Sequence, residues 1–584
     1  MINNELAKIL YEMAEFLDMK EIPFKPRAYE KAANSVEALE KNVKEIYSSG
    51  GVKSLMKEIP GVGQGIAEKI EEFIKTGRIK DYEKMKKEIP VDISGLTAIE
   101  GVGPKMIKTL WQKLKVRTVE DLEKAAKTGK IKNLEHFGQK SEEKILKGIE
   151  FLKKSGGRRV LGFVLPEIAA LEKKIRSFPE VEKAVVAGSV RRHKETIGDI
   201  DILAISSKPE KVMDKFVALP EIAHVYAKGR TKTAVKLKNG LDADLRVVPK
   251  ESFGAALNYF TGSKDHNVAL RQIAIKKGLK LNEYGLFRGK KAIAGRTEEG
   301  LYLALGLKYI EPEMRENTGE IEAAQIRPRL SLGQKIELPQ LIDYGDLRGD
   351  LQVQTDWTDG ENSIEEMAEA AMDSGLEYIV ITDHTKTLVM TGGSDEKKLL
   401  KQMAAIDEIN RKLKVKSLKF KILKGAEVNI MKDGSLDIDD KTLAKLDVVG
   451  AAIHSHFNLS REEETRRVIR AMENANVDII FHLTTRIINK REPIDLDIDE
   501  IIKAAKKTGT ILEIDAYPDR SDIKDDYIRK CVKAGVKMSI DSDAHSIQHF
   551  KFLEMGIAQA RRGWATKNDI INAWPVDKML GFLK

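Results

Sequence analysis

The run Asp199-Ile200-Asp201-Ile202-Leu203-Ala204-Ile205 places two aspartates at alternate positions of an otherwise apolar segment. Such a segment reads as a strand. Because side chains alternate with a period of two, both carboxylates point to one face while Ile200 and Ile202 point to the other. The carboxylates then stand about 7 Å apart along the strand. That spacing lets them hold two divalent cations jointly, as an in-line phosphoryl transfer requires. A third carboxylate should come from an adjacent strand, and Asp244, in Asp242-Ala243-Asp244-Leu245-Arg246-Val247-Val248, has the same alternation. Gly188 and Ser189, eleven residues before Asp199, offer close backbone approach and a hydroxyl to a triphosphate, and Arg192 adds charge.

The flanking sequence is of two kinds. From about 158 to 312, short β-branched runs such as Ala184-Val185-Val186-Ala187 and Thr233-Ala234-Val235-Lys236-Leu237 alternate with helical stretches, the texture of a mixed sheet. Residues 1 to about 155 read as helical, with Leu6, Ile9, Leu10, Met13 and Phe16-Leu17 at spacings of three and four. Two segments there share one pattern, Ile59-Pro60-Gly61-Val62-Gly63-Gln64-Gly65 and Ile99-Glu100-Gly101-Val102-Gly103-Pro104-Lys105, each followed by an amphipathic helix. A looser third copy is His136-Phe137-Gly138-Gln139-Lys140. The glycines permit a tight turn, and the N–H groups opening the next helix face a phosphate oxygen.

Residues 313–345, with Pro328 and Pro339 and no period, read as a linker. Beyond them, strand-like runs (Tyr378-Ile379-Val380-Ile381-Thr382, Asp447-Val448-Val449-Gly450) alternate with helices near 397–413 and 461–475, which predicts an α/β barrel or layered sheet with polar residues at strand ends. Six of the ten histidines lie here, at 384, 454, 456, 482, 545 and 549, several beside carboxylates. With Asp359 and Glu427 they form a set of imidazole and oxygen donors suited to Zn, Mn or similar ions.

Charge separates the halves. Residues 1–312 carry 59 Lys and Arg against 43 Asp and Glu, a net +16, and the remainder carries 41 against 48, a net −7. A polyanion-binding front half joined to a chemically different rear half follows. At 584 residues, several domains are expected and a single small binding module is excluded. The lone Cys531 excludes an intramolecular disulfide and a cysteine-cluster zinc site. With no run of 18 apolar residues and no signal-like N-terminus, the reading is a cytoplasmic, nucleoid-associated protein that binds no membrane.

From about residue 5 to 312 these motifs resemble the family X DNA polymerases, and the glycine segments resemble helix-hairpin-helix motifs that grip the DNA backbone without reading bases. The resemblance extends to Asn258-Tyr259-Phe260-Thr261-Gly262-Ser263-Lys264-Asp265-His266-Asn267 and to Arg271. It implies that Tyr259 and Phe260 flank the nucleotide sugar, that Gly262 belongs to the nucleotide site, that Asn267 touches the minor-groove edge of the incoming base and that Arg271 contacts the template. It further implies that Asp199 and Asp201 bridge two Mg²⁺ or Mn²⁺ ions, that Asp244 holds the ion nearer the primer, and that Gly61, Gly63, Gly65, Gly101, Gly103 and Lys105 meet DNA, with a monovalent cation at the hairpins. Residues 22–77 resemble the lyase domain of the polymerase beta family, with Lys69 at the Schiff-base position and Gly65 where that family places another lysine.

The rear half resembles PHP (polymerase and histidinol phosphatase) domains, seven-stranded barrels that act as phosphodiesterases, typically 3′→5′ exonucleases. Of nine expected ligand positions seven are filled, Asp359, His384, Glu427, His454, His482, Asp543 and His545, with Zn²⁺ or Mn²⁺ implied. The first motif departs from the family, with Gln352-Val353-Gln354 in place of His-x-His, and Asn429 stands where aspartate is common. A neutral amide is a weaker ligand than imidazole, so fewer ions than usual are expected.

The organisation this implies is a multidomain α+β and α/β chain: a lyase-like helical domain over 1–92, a fingers-like subdomain over 93–157, a nucleotidyltransferase palm over 158–250, a thumb over 251–312, the linker, and a PHP (β/α)7 barrel over 346–584. The function implied is template-dependent gap filling in base excision repair by a monomer that uses dNTPs on gapped or primer-template DNA. A rival reading keeps the barrel as a DNA-binding phosphoesterase and makes the front half a non-polymerising nucleotidyltransferase.

Overall fold

The computed structural model describes residues 2–39, 41–97, 99, 102–135, 137–154, 157–326, 337–415 and 419–583. They fall into two compact units, Met1–Gly157 with Arg486–Pro493, and Arg158–Thr485 with Ile494–Lys584.

The first unit is helical. Its opening helix, Ile2–Met19, buries Leu6, Leu10, Met13, Phe16 and Leu17 on one stripe, as the spacing predicted. Short helices follow because turn residues interrupt the period. Gln64–Thr76 and Pro104–Leu114 start at Gly63 and Gly103, and Val119–Lys127 opens on a capping box between Thr118 and Asp121.

The second unit begins with a five-stranded mixed sheet. Its strands are β1 (Lys183–Val186), β2 (Asp199–Ile205), β3 (Ile222–Lys228), β4 (Lys232–Leu237) and β5 (Asp242–Val248), in the order β1-β2-β5-β4-β3. β2 and β5 run parallel, with Asp199 opposite Asp242 and Asp201 opposite Asp244. β5 alternates strictly, with Ala243, Leu245 and Val247 buried against helices and Asp242, Asp244 and Arg246 on the open face. A thumb-like layer follows, made of helices Phe253–Thr261 and Lys264–Lys276, the antiparallel strands β6 (Lys280–Asn282), β7 (Gly285–Arg288) and β8 (Lys291–Ala294), and helix Glu298–Ala304.

Of the expected linker, residues 313–326 are folded, while 327–336, with Pro328, lie outside the described residues. Pro312–Met314 and Glu320–Ala323 form short helices, and Glu313, Arg315 and Glu320 are buried. Arg315 donates to Glu298 Oε1 at 2.6 Å and to the Ile310 carbonyl at 3.0 Å, and Glu320 meets His266 Nδ1 at 2.7 Å. Proline content suggested an irregular connector, whereas an ion pair to Glu298, 17 positions away, and a hydrogen bond to His266, 54 positions away, fix this segment in the thumb core.

The barrel consists of seven parallel strands in sequential order: β9 (Gly349–Val353), β10 (Tyr378–Ile381), β11 (Lys421–Asn429), β12 (Val448–Ala452), β13 (Ile479–Ile480), β14 (Ile511–Asp515) and β15 (Met538–Asp541). A parallel bridge between Val353, at the end of the first strand, and Ala544, just past the last, links the two edges. The strands are buried almost throughout, as parallel strands with covered faces must be.

Barrel and sheet share their cores. Met555 packs into the sheet core and Trp564 into the thumb core. Arg561 donates to Glu313 at 2.8 Å and to the Ile342 carbonyl at 2.7 Å, while Arg562 donates to the His193 carbonyl and to Asp525 at 2.9 Å.

Removing one partner of a buried pair leaves the other charged and desolvated, at a cost of about 3–5 kcal/mol. Glu298→Met, which strips the fully buried Arg315 of its carboxylate and Arg191 of a bidentate partner, is expected to lower unfolding stability by about that amount in a denaturant titration. A loss under about 1 kcal/mol would show that this segment is not part of the thumb core.

Candidate active sites

The first site forms where β2 and β5 run side by side. Asp201 and Asp244 are cross-strand neighbours, and Asp199 precedes them on the same face. Burial, then the charges of Asp199 and Asp244, push the Asp201 carboxyl up to about 6, against the pull of Arg246 and Lys232. Lys232 Nζ lies 3.0 Å and Arg246 3.6 Å from Asp244 Oδ2, two cations that the sequence reading had not singled out. Three crowded oxygen donors on a partly open face fit divalent cations such as Mg²⁺ or Mn²⁺.

Gly188 is required beside this cluster. Its φ is +64°, and a Cβ there would meet Asp201 Oδ2 at 2.7 Å. The turn is anchored by the Ala187 N–H donating to the Asp201 carbonyl at 2.8 Å, which brings Ser189 to the same strand end. Arg192 differs from expectation. Its Nε pairs with Glu316 at 2.8 Å and its Nη1 donates to the Thr261 carbonyl beside Gly262, so its charge is committed to the thumb rather than held open for a triphosphate.

Phe260 stacks on the Arg246 guanidinium, whose carbon lies 4.4 Å from the ring centroid, and Tyr259 meets Phe260 edge-on at 5.1 Å. Asn267 Nδ2 donates to the Tyr259 carbonyl at 2.7 Å. Tyr259, Asn267 and Arg271 line one cleft together with Asn258 and Asn282. The aromatic pair is thereby tied to the carboxylates through Arg246, and Asn267 and Arg271 share one concavity with Tyr259.

The second site lies at the C-terminal mouth of the barrel. Glu427, fully buried on β11, is its hub: Oε1 is 2.8 Å from His482 Nε2 and 2.9 Å from His454 Nε2, and Oε2 is 3.5 Å from His384 Nδ1. Burial would raise this carboxyl, but the three imidazoles outweigh it and hold it well below the usual range. On the other side of His384, Asp359 Oδ2 lies 3.6 Å from its Nε2 and 3.7 Å from His545 Nε2. The expected ligands therefore converge, with Asp543 3.8 Å from His545 Nδ1.

The donor set suits metal ions. His454 Nδ1 meets Asn429 Oδ1 at 2.7 Å and His545 Nδ1 meets the Asp543 carbonyl at 2.8 Å, which leaves Nε2 of each ring as the ligating atom. Burial, then Arg520, lowers His482 to about 4 and keeps it neutral. Burial alone would also lower His545, but Asp543 and Asp359 raise it to about 10, a proton that a cation would displace. Asn429 thus orients an imidazole. The loop bearing Asp359 is pinned by buried Asp383, which accepts from the Thr355 N–H at 2.8 Å and from Gln402 at 2.5 Å. His549 packs between Tyr517 and Phe552 rings instead, and exposed His456 lies outside the cluster.

In the helical unit, Val62 and Val102 are buried while Gly63, Gly65, Gly103 and Lys105 are exposed; Gly101 and His136 lie outside the described residues. A Cβ at 63, 65 or 103 would meet nothing within 4 Å, so packing within the chain does not demand glycine there, whereas close approach of a backbone-binding ligand would. Gly61 does need its conformation, at φ +73° against the Lys31 side chain. Lys69 pairs with Asp81 at 2.7 Å; burial would lower its pKa, but Asp81 and Tyr29 raise it overall, the reverse of what a Schiff-base amine requires.

Fold and sites together define a metal-dependent nucleotidyltransferase joined to a barrel metallocentre. Recognised families match in the same places: "Helix-hairpin-helix domain" over 1–79, "SAM-like Helix-hairpin-helix tandem" over 93–150, "DNA polymerase beta thumb" over 256–316 and "PHP domain" over 350–545. The DNA polymerase/3′-5′ exonuclease PolX of Bacillus subtilis (strain 168) is 35% identical over 589 residues, covering 100% of both chains. DNA polymerase lambda of Rattus norvegicus is 25% identical over 54% of this chain and 56% of its own. A probable phosphatase of Thermoanaerobacter sp. (strain X514) is 30% identical over 38% of this chain and 88% of its own. The chain belongs to the family X DNA polymerases that carry a C-terminal PHP domain.

Because the Asp201 carboxyl is raised in the folded state, the fold holds that proton more tightly than the unfolded chain does. The resulting cost is absent below about pH 4, grows between about pH 4 and 6, and is full above that range. Asp201→Asn should therefore stabilise the metal-free protein at pH 7.5, by about 2 kcal/mol, with the gain vanishing toward pH 4 in thermal unfolding. Destabilisation at pH 7.5 would contradict the crowding.

Proposed function

We propose that this protein is a DNA-directed DNA polymerase that fills short gaps during repair, with a second, 3′→5′ exonuclease centre in its barrel. The observation that carries the reading is the cross-strand pairing of Asp201 with Asp244, coupled through Arg246 to the Tyr259-Phe260 pair.

Divalent cations held by Asp199, Asp201 and Asp244 would supply neutralisation of the phosphate charge and favour ionisation of the primer hydroxyl. Around them, Gly188 and Ser189 would receive the triphosphate at close range. Arg192, paired with Glu316, is better suited to tie the thumb to this turn than to bind phosphate. Tyr259 and Phe260 would bear on the nucleotide sugar, Asn267 and Arg271 on the base pair and template, and the glycine hairpins would hold the duplex by its backbone in a salt-sensitive manner. No helix among the described residues is long and apolar enough to cross a membrane.

At the barrel, ions held by Asp359, His384, Glu427, His454, His482 and His545 would supply Lewis acidity toward a phosphodiester. Lys69, neutralised by Asp81, is better suited to an ion pair within the helical unit than to lyase chemistry.

A 5′-labelled gapped duplex, incubated with and without nucleotides, tests both activities on one gel. Asp201→Ala is expected to abolish extension and leave Mn²⁺-dependent shortening intact, and His384→Ala to do the opposite. Extension persisting in Asp201→Ala would overturn the palm assignment, and shortening persisting in His384→Ala would overturn the barrel assignment.

A further inference from the structure

The first barrel motif carries Gln352 and Gln354, both fully buried, where the family pattern places imidazoles. Both amide Nε2 groups donate to one atom, Glu427 Oε2, at 3.0 and 2.8 Å. Two N–H donors on that oxygen occupy the directions from which a cation would be coordinated. The opposite wall carries a permanent charge. Arg520 Nε lies 3.5 Å from Asp515 Oδ2 and 3.5 Å from Asp543 Oδ2, between two carboxylates that are themselves buried. Asp515 is on β14 and is not among the expected ligands.

Asp359, His384 and His545 form one group of ligand atoms close enough to share an ion; Glu427 lies with His454 and His384 in a second group, and because the His384 ring can serve one ion only, His482 Nε2, 2.8 Å from Glu427 Oε1 beside His454 Nε2 at 2.9 Å, completes the second set. Asp543 belongs to neither set. We propose that this barrel is a two-ion centre in which Arg520 takes the electrostatic place of a further cation, with Gln352 and Gln354 holding Glu427 by direct hydrogen bonds. The proposal rests on the reading of the barrel as a metallocentre and is independent of the polymerase assignment.

Chemistry favours this arrangement over a weakly filled additional ion site. A guanidinium is weakly hydrated and always charged, so it can sit between buried carboxylates without a cation-binding equilibrium. The amide oxygens of Gln352 and Gln354 have no hydrogen-bond partner among the described residues. Rotating either amide by half a turn would present that oxygen to Glu427, and the resulting cluster of oxygen donors would demand a cation. The two arrangements therefore differ in ion count, and Arg520 discriminates between them.

The test counts ions on the full chain carrying Asp199→Ala and Asp201→Ala, so that the palm contributes none. After equilibration with Mn²⁺ and gel filtration, elemental mass spectrometry is expected to find two ions per chain. Adding Gln352→His and Gln354→His should leave the count at two, because Arg520 still occupies the charge position. Adding Arg520→Met to that pair should raise it to three. Three ions in the starting protein, or a third ion gained with Arg520 in place, would overturn the proposal. So would a count fixed at two in the variant lacking Arg520, provided its unfolding remains cooperative. The starting count decides the matter even if that last variant does not fold. A starting count of zero would instead remove the metallocentre on which the proposal rests.

Discussion

Like charges held together at strand ends are the constraint on which the structure depends. In the palm, the parallel pairing of β2 with β5 sets Asp201 beside Asp244, and the apolar residues that alternate with them, Ile200, Ile202, Ala243 and Leu245, keep the pairing from slipping. A shift of one residue would turn the carboxylates into the core and the isoleucines into solvent. The barrel solves the same problem by a different route, surrounding one buried carboxylate, Glu427, with imidazoles and amides. The palm carboxylates are locally unfavourable without counterions, and that cost favours cation binding, whereas Glu427 finds its counter-charges among the barrel imidazoles.

Holding such sites requires rigidity around them, and the two catalytic halves supply it to each other. The turn from Gly188 to Asp199 is gripped from the barrel side by Arg562 through the His193 carbonyl, while Arg561 anchors the segment that carries Glu313. Trp564 completes the thumb core. The palm and thumb are therefore not bodies tethered to the barrel by a flexible strand. A cut near residue 330 would leave Arg561, Arg562 and Trp564 on one side and their buried partners on the other.

What the sequence made legible follows from how local each signal is. Asp199 and Asp201 are two residues apart, so strand periodicity alone set them on one face, and β5 repeated the pattern for Asp244. The glycine hairpins were legible because they occur twice. Seven barrel ligands could be named from the resemblance to PHP domains, several of them sitting at or just after a strand-like run and Asp359 in the loop beyond β9. The remaining features depend on contacts across long sequence separations, which periodicity does not encode. Arg315 meets Glu298 in what proline content made look like a linker, Asp81 neutralises Lys69, Glu316 claims Arg192, and Gln352 and Gln354 turn their amides to a carboxylate more than seventy residues away. Arg520 had no periodic signal at all.

Asp201 reports the central constraint most directly. Side-chain ¹³C NMR of aspartate-labelled protein, with the Asp201 resonance assigned by Asp201→Asn, would follow its titration with and without Mg²⁺. The account requires a midpoint near 6 in the metal-free protein and one driven below about 4 when Mg²⁺ saturates the site. An Asp201 that titrates as an ordinary aspartate without metal, or that ignores Mg²⁺, would contradict the claim that carboxylate crowding builds this active site.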